Sequence, residues 1–219
     1  MSELASTIVG HYERHARAWD ADRQAAAWNE KIWLDRFAGL LPASGCVLDL
    51  GCGAGSPIAR HLAGQGFQVT GVDSSPTMIG LCRERLPGHD WIVADMRTLA
   101  LDRQFDGILA WDSFFHLDFD AQRRMFLVFA RHAAASAVLM FNTGPAHGIA
   151  VGTYRGDPLF HASLDAEEYR ALIAAPGFAV VEHAAEDPRA GGRTVWLCRA
   201  TGEGFRSEAA SAMERGSVP

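Results

Sequence analysis

The run Val47-Leu48-Asp49-Leu50-Gly51-Cys52-Gly53-Ala54-Gly55 has the form of a buried strand that opens directly into a glycine-rich turn and then a helix. Glycine belongs there for two reasons: the turn enters backbone conformations closed to residues with a β-carbon, and a ligand must lie against the main chain. About 20 residues on, a second β-rich run ends at Val72-Asp73, which puts one carboxylate where both hydroxyls of a ribose could donate to it. A third run ends in Ala94-Asp95-Met96, and a fourth in Trp111-Asp112, followed by Ser113-Phe114-Phe115-His116-Leu117. If an acceptor must lose a proton near pH 7, histidine is the natural base, and His116 is the first candidate. A second polar group, His147, Tyr154, Arg155 and His161, lies in the stretch 142–161. There the planar fork of Arg155 could hold an acceptor carboxylate or phosphate, or equally pair with Asp157. Phe114, Phe115, Phe160 and Trp33 could wall an apolar pocket, although aromatics at these spacings are more often core.

Each residue also has a plain structural reading. Asp49 could be a cap, Asp73 an ordinary strand-end carboxylate, Met78 and Met96 core filler, and His116 a histidine packed beneath the site. What raises the ligand reading is order, because three such motifs recur in succession, each at the C-terminal end of an expected strand, the edge at which open α/β sheets bind ligands.

The elements that must carry these residues alternate. Short β-rich runs at 46–50, 67–72, 91–94 and 105–111 are interleaved with helical patterns at 57–64, 76–86 and 120–134. This predicts an α/β fold: a doubly wound, mostly parallel seven-stranded sheet with helices on both faces. A fifth buried strand at 137–141 precedes the Gly-, Pro- and His-rich stretch 142–161, which reads as a loop forming a lid or pocket wall. A helix over 165–175 leads to runs at 178–184 and 194–199, separated by Asp187, Pro188, Gly191 and Gly192, hence an antiparallel hairpin at the sheet edge. Ahead of the sheet, Ile8, Tyr12, Trp19, Trp28, Ile32, Trp33 and Phe37 recur at helical spacing and suggest two helices. The expected organisation is N-terminal helices over the cleft (1–42), the α/β domain (43–200) and a flexible tail (201–219).

Nicotinamide dehydrogenases share the glycine-and-acid logic, but their fingerprint places its third glycine or alanine one position after Gly55, where this chain has Ser56. The GxGxG spacing, with Asp49 two residues before the first glycine, resembles the motif of class I (Rossmann-like) S-adenosylmethionine-dependent methyltransferases of the small-molecule type. The resemblance runs from about Tyr12 to Arg199. It implies that the turn Gly51, Cys52, Gly53 and Gly55 holds the amino-acid end of the cofactor and that Asp73, with Ser74 beside it, binds the ribose. It further implies that Asp95 meets the adenine amino group, that Met78 and Met96 pack on the purine, and that Trp111 lines the methionine end. Tyr12, Trp19 and Asp20 resemble an N-terminal pattern that folds over the cofactor. The implied reaction is in-line transfer of a methyl group to O, N or C of a small organic acceptor, leaving S-adenosylhomocysteine, with alignment as the protein's main contribution. A non-catalytic cofactor-binding regulator remains an alternative, and a nicotinamide-dependent oxidoreductase a weaker one.

Composition limits the partners. With 26 acidic and 20 basic residues the net charge is -6, so no nucleic-acid partner is expected. Nothing approaches the roughly 18 apolar residues of a membrane span, and Met1 to Gly10 lacks a basic stretch followed by an apolar run. Cys46, Cys52, Cys82 and Cys198 are scattered, without metal-ligand spacing, so the expectation is a cytoplasmic protein with reduced thiols and no metal, monomeric or homodimeric.

Overall fold

The computed structural model describes residues 3–202; most of the expected tail lies outside the described residues. Five strands form the parallel part of the sheet: β1 (Cys46–Leu50), β2 (Gln68–Asp73), β3 (Asp90–Val93), β4 (Phe105–Ala110) and β5 (Ala133–Thr143). β8 (Phe178–Asp187) and β9 (Arg193–Ala200) complete it in the order β3-β2-β1-β4-β5-β9-β8. β9 runs antiparallel to both β5 and β8, so the expected hairpin forms the edge. The chain reverses direction across the sheet between β1 and β4, and there the C-terminal strand ends open a crevice.

Period-two alternation divides the strand residues between two cores. Leu48, Leu50, Ile108, Leu139 and Phe141 enter one, with Phe114, Phe126, Phe129 and Tyr169. Val47, Leu109, Val138 and Met140 enter the other, with Trp33, Leu34 and Phe37. Helices α3 (Ile58–Gly64), α4 (Pro76–Arg85), α5 (Phe119–His132) and α6 (Ala166–Ala174) cover the sheet. Their starts are set locally: Ser75, Asp118 and Asp165 each accept a backbone N–H from the first turn of α4, α5 and α6.

Two N-terminal helices form, α1 (Glu3–Ala25) and α2 (Lys31–Gly39). α2 buries Trp33, Leu34 and Phe37 against the sheet. α1 instead lies across the crevice. Glu13 accepts from the Ser75 hydroxyl, the Thr77 hydroxyl (2.7 Å) and the Thr77 N–H (3.2 Å). Further along, Asp20 takes both Arg85 nitrogens at 2.6 Å.

The stretch 142–161 departs from the expected loop. It contains a two-stranded antiparallel hairpin, β6 (Gly148–Tyr154) and β7 (Asp157–Ser163), closed by Arg155 and Gly156 at φ 51° and 90°. Two successive positive φ values are the primed turn that suits strand twist, and a glycine at its second position supplies one of them without strain. Two of the glycines that suggested a loop, Gly148 and Gly152, alternate with the β-formers Ile149, Val151 and Thr153.

Candidate functional site

The glycine-rich turn lies between the ends of β1 and β2. Gly51 (φ 74°) donates to Val72 O at 2.7 Å, and a β-carbon there would stand 2.3 Å from that of Ser113. Gly53 (φ 53°) donates to Asp73 Oδ2 at 2.9 Å, while Ser75 N–H donates to Asp73 Oδ1 at 2.9 Å. Burial pushes the Asp73 carboxyl up, against those two N–H groups and that of Ser74. Asp49, 2% exposed beneath the turn, keeps Oδ2 without a partner among the described residues, and burial with the nearby Asp73 charge raises it to about 7. Gly55 sits back from the cleft, facing the Cys82 sulfur. Both Cys52 and Cys82 direct their thiols at Gly53 O, at 3.6 and 3.2 Å.

One cleft collects residues from six segments. Val72, Asp73 and Ser74 line it with Met78, Ala94, Asp95 and Met96, Gly51 and Gly53 form its floor, and Tyr12 and Trp19 of α1 roof it. Asp95 is bound by its neighbour: Arg97 Nε lies 2.9 Å from both oxygens and Arg97 N–H 2.9 Å from Oδ1. Burial alone would raise the Asp95 carboxyl, but these bonds outweigh it and hold it low. Trp111, 2% exposed, lines the recess behind the glycine turn with Cys52 and Gly53, and its Nε1 has no partner among the described residues.

A second pocket adjoins the first and shares Tyr12, Trp19, Asp112 and His116 with it. His116 is 4% exposed, with Nε2 2.7 Å from Tyr12 Oη and Nδ1 2.8 Å from Phe160 O. Desolvation lowers it to about 4, against the Phe160 hydrogen bond, and burial raises the Tyr12 hydroxyl. His161 stacks at 4.9 Å from the His116 ring and 5.2 Å from Phe115, and all three line this pocket.

Of the residues expected to meet an acceptor, His161 alone lines the pocket. Tyr154 and Arg155 are at the hairpin tip, turned toward α1, where both bond Asp22. Arg155 therefore pairs with Asp22 and not with Asp157, which Arg14 and His15 occupy. His147 is exposed and stacked on Phe119 at 4.7 Å. Among the expected wall aromatics, Phe114 and Trp33 are fully buried core, and Phe160 offers its carbonyl rather than its ring.

Sequence reasoning did not find the polar network at the junction. Asp112, at φ 50°, exchanges two 2.8 Å bonds with Asn142 and takes Arg193 Nε and Nη2 at 2.6 and 2.7 Å. The nearest signal was Asp112 itself, which follows Trp111 at a strand end. Nothing local marks Asn142 or Arg193, whose strands become neighbours only in the sheet.

Residues 47–135 match the family model of a methyltransferase domain. The trans-aconitate 2-methyltransferase of Escherichia coli O139:H28 is 40% identical over 65 residues, 29% of this chain and 26% of that enzyme. The chain spans less than half the length of the curated relatives it matches. Among solved structures, the Burkholderia thailandensis 1,6-didemethyltoxoflavin-N1-methyltransferase, bound to 1,6-didemethyltoxoflavin and S-adenosylhomocysteine, superposes with a TM-score of 0.72 at 18% identity, over 91% of this chain and 89% of that one. The S-adenosylmethionine-bound amino pentose methyltransferase CalS10 of Micromonospora echinaspora gives 0.65 at 21%, over 84% and 96%. The fold is thus the Rossmann-like fold of these methyltransferases.

Proposed function

We propose that this chain is an S-adenosylmethionine-dependent methyltransferase acting on a small organic acceptor. The observation that carries the reading is the junction of two pockets at Tyr12, Trp19, Asp112 and His116: a cleft lined by the glycine turn, Asp73 and Asp95 adjoins a second pocket lined by Phe115 and His161. The residues present fit the cofactor. Gly51 forms a cradle that a β-carbon would fill, Asp73 stands where ribose hydroxyls would donate, and Val72, Met78, Ala94 and Met96 offer apolar faces to a purine. Asp95 would accept from the adenine amino group alongside Arg97, and Trp111 Nε1 is a free donor beside the turn. When bound, S-adenosylmethionine supplies a sulfonium methyl open to in-line displacement.

The protein's own work is placement and proton handling. Phe160 O can only accept, so the hydrogen of neutral His116 sits on Nδ1 and Nε2 accepts the Tyr12 hydroxyl. A proton released by an acceptor would pass to Tyr12 Oη as the Tyr12 proton moves to His116 Nε2. Tyr12 and Trp19 exclude water from above. The small-molecule preference rests on the second pocket beside the cleft and on the acidic net charge of -6. Four free cysteines fit a reducing cytoplasm, and among the described residues no helix is long and apolar enough to cross a membrane.

Calorimetric titration with S-adenosylmethionine and S-adenosylhomocysteine, with NAD as control, tests the proposal. Binding of the first two but not NAD is expected, as is loss of binding in Asp73→Ala with an unchanged circular dichroism spectrum. Wild-type affinity in that variant would overturn the ribose assignment, and NAD binding alone would overturn the class.

A further inference from the structure

We propose that His11, His15 and Asp157 form a binding site for a divalent transition-metal cation, Zn2+ foremost, that joins α1 to the β6–β7 hairpin. The candidate ligand atoms, one from each side chain, all lie within 4.8 Å of one another. His11 and His15 are four apart on α1 and so share one face of the helix, the spacing by which helices present two imidazoles to one ion. Asp157 opens β7, directly after the hairpin turn.

His15 and Asp157 by themselves need no metal, since His15 Nε2 and Asp157 Oδ2 pair at 2.9 Å. His11 has no such account. It is 1% exposed, its ring is 4.9 Å from that of His15, and neither of its nitrogens has a partner among the described residues. A buried imidazole with two unsatisfied nitrogens is costly in a folded protein. A cation between it and the His15–Asp157 pair would satisfy one nitrogen and use the lone pairs of all three groups. Two imidazole nitrogens and one carboxylate oxygen suit Zn2+, with a fourth position for water. Tetrahedral ligands at about 2.0–2.1 Å stand roughly 3.4 Å apart, so the site closes with movements on the order of 1 Å. The one competitor is Arg14, whose Nη2 lies 2.9 Å from Asp157 Oδ2; that side chain is 58% exposed and free to swing into solvent.

Among the described residues, the other cluster of this kind, His147, Asp165 and Glu168, is more exposed and already committed. Asp165 caps α6, and Glu168 takes Arg123 Nε at 2.6 Å. The proposed site has a structural consequence: α1 roofs the cleft and the hairpin walls the adjoining pocket, so the metal would fasten together the two covers of the junction.

The test is titration of the metal-free full chain with Zn2+, and with Co2+ followed by its visible absorption. One equivalent is expected to bind with an intense tetrahedral Co2+ band, and Zn2+ at a hundredfold excess over Kd is expected to raise the melting temperature by about 5 °C. Asp157→Asn, a near-isosteric change at a half-exposed position, and His11→Ala should each weaken binding on the order of 100-fold or more. Arg14→Ala should tighten it, an outcome that a plain salt-bridge role for Asp157 does not produce. Absence of stoichiometric binding would overturn the proposal. So would binding that survives both Asp157→Asn and His11→Ala, which places the metal elsewhere. S-adenosylmethionine binding is measured separately, so failure here leaves the methyltransferase reading untouched.

Discussion

Tyr12 and His116 are 104 residues apart in the chain and share a 2.7 Å hydrogen bond. If His116 is the base proposed above, His116→Ala is expected to lower kcat on the order of 100-fold and leave the cofactor Kd within about twofold. Tyr12→Phe should reproduce most of the kcat loss, since the proposed relay passes through its oxygen; an unaffected kcat would leave His116 a packing residue. Because burial holds His116 near 4, it is neutral from pH 6 upward, and the kcat profile should lack an inflection at the ordinary histidine value. Asp49 makes a prediction with the opposite sense. Its folded value, about 7, is raised above the unfolded 3.8, so its contribution to stability is complete below pH 4 and is lost as pH rises through 7. Urea midpoints of the ligand-free protein between pH 5 and 8 should therefore fall more steeply for wild type than for Asp49→Asn; parallel slopes would show the carboxyl ionised throughout.

At the scale of elements, α1 lies over the cleft, lining it with Tyr12 and Trp19. The Glu13 carboxylate sits at the α4 N-terminus, where helix N–H groups favour negative charge, and its hydrogen bonds to Ser75 and Thr77 hold its carboxyl low. Asp20 binds Arg85 further along α4, and Asp22 binds the hairpin tip. None of these contacts belongs to the sheet, so loosening them frees the cover without unfolding the domain. Glu13→Ala should weaken cofactor binding about tenfold while moving the melting temperature by no more than about 3 °C. Equal losses in both would make α1 part of the folding core. Both helices were legible from their spacing of apolar residues, and the resemblance set Tyr12, Trp19 and Asp20 over the cleft; that α2 packs on the sheet instead of sharing that cover was not legible, because both helices carry the same stripe.

Across the whole molecule, stability and site separate along the sheet. Phe141 is fully buried, with ring centroids 5.1 Å from Phe114, 5.7 Å from Phe126 and 6.2 Å from Trp196. Phe141→Ala should cost about 3–5 kcal/mol in denaturant unfolding, yet cofactor affinity in the folded fraction should change by less than about twofold. A larger change would couple core and cleft. The sequence by itself determined what short range decides: apolar runs, glycines at turns, capping residues such as Ser75 and Asp165, and hence the alternation of strands and helices and the C-terminal edge at which Asp73, Asp95 and His116 gather. The hairpin escaped notice because its glycines dilute a strand pattern that only pairing makes stable. The tertiary structure decided the rest: that Arg193 reaches Asp112 from 81 residues away, that Tyr154 and Arg155 face α1, and that His11 and His15 meet Asp157. Such meetings depend on which strands lie side by side and how a cover settles, and chain separation carries no periodic signal of either.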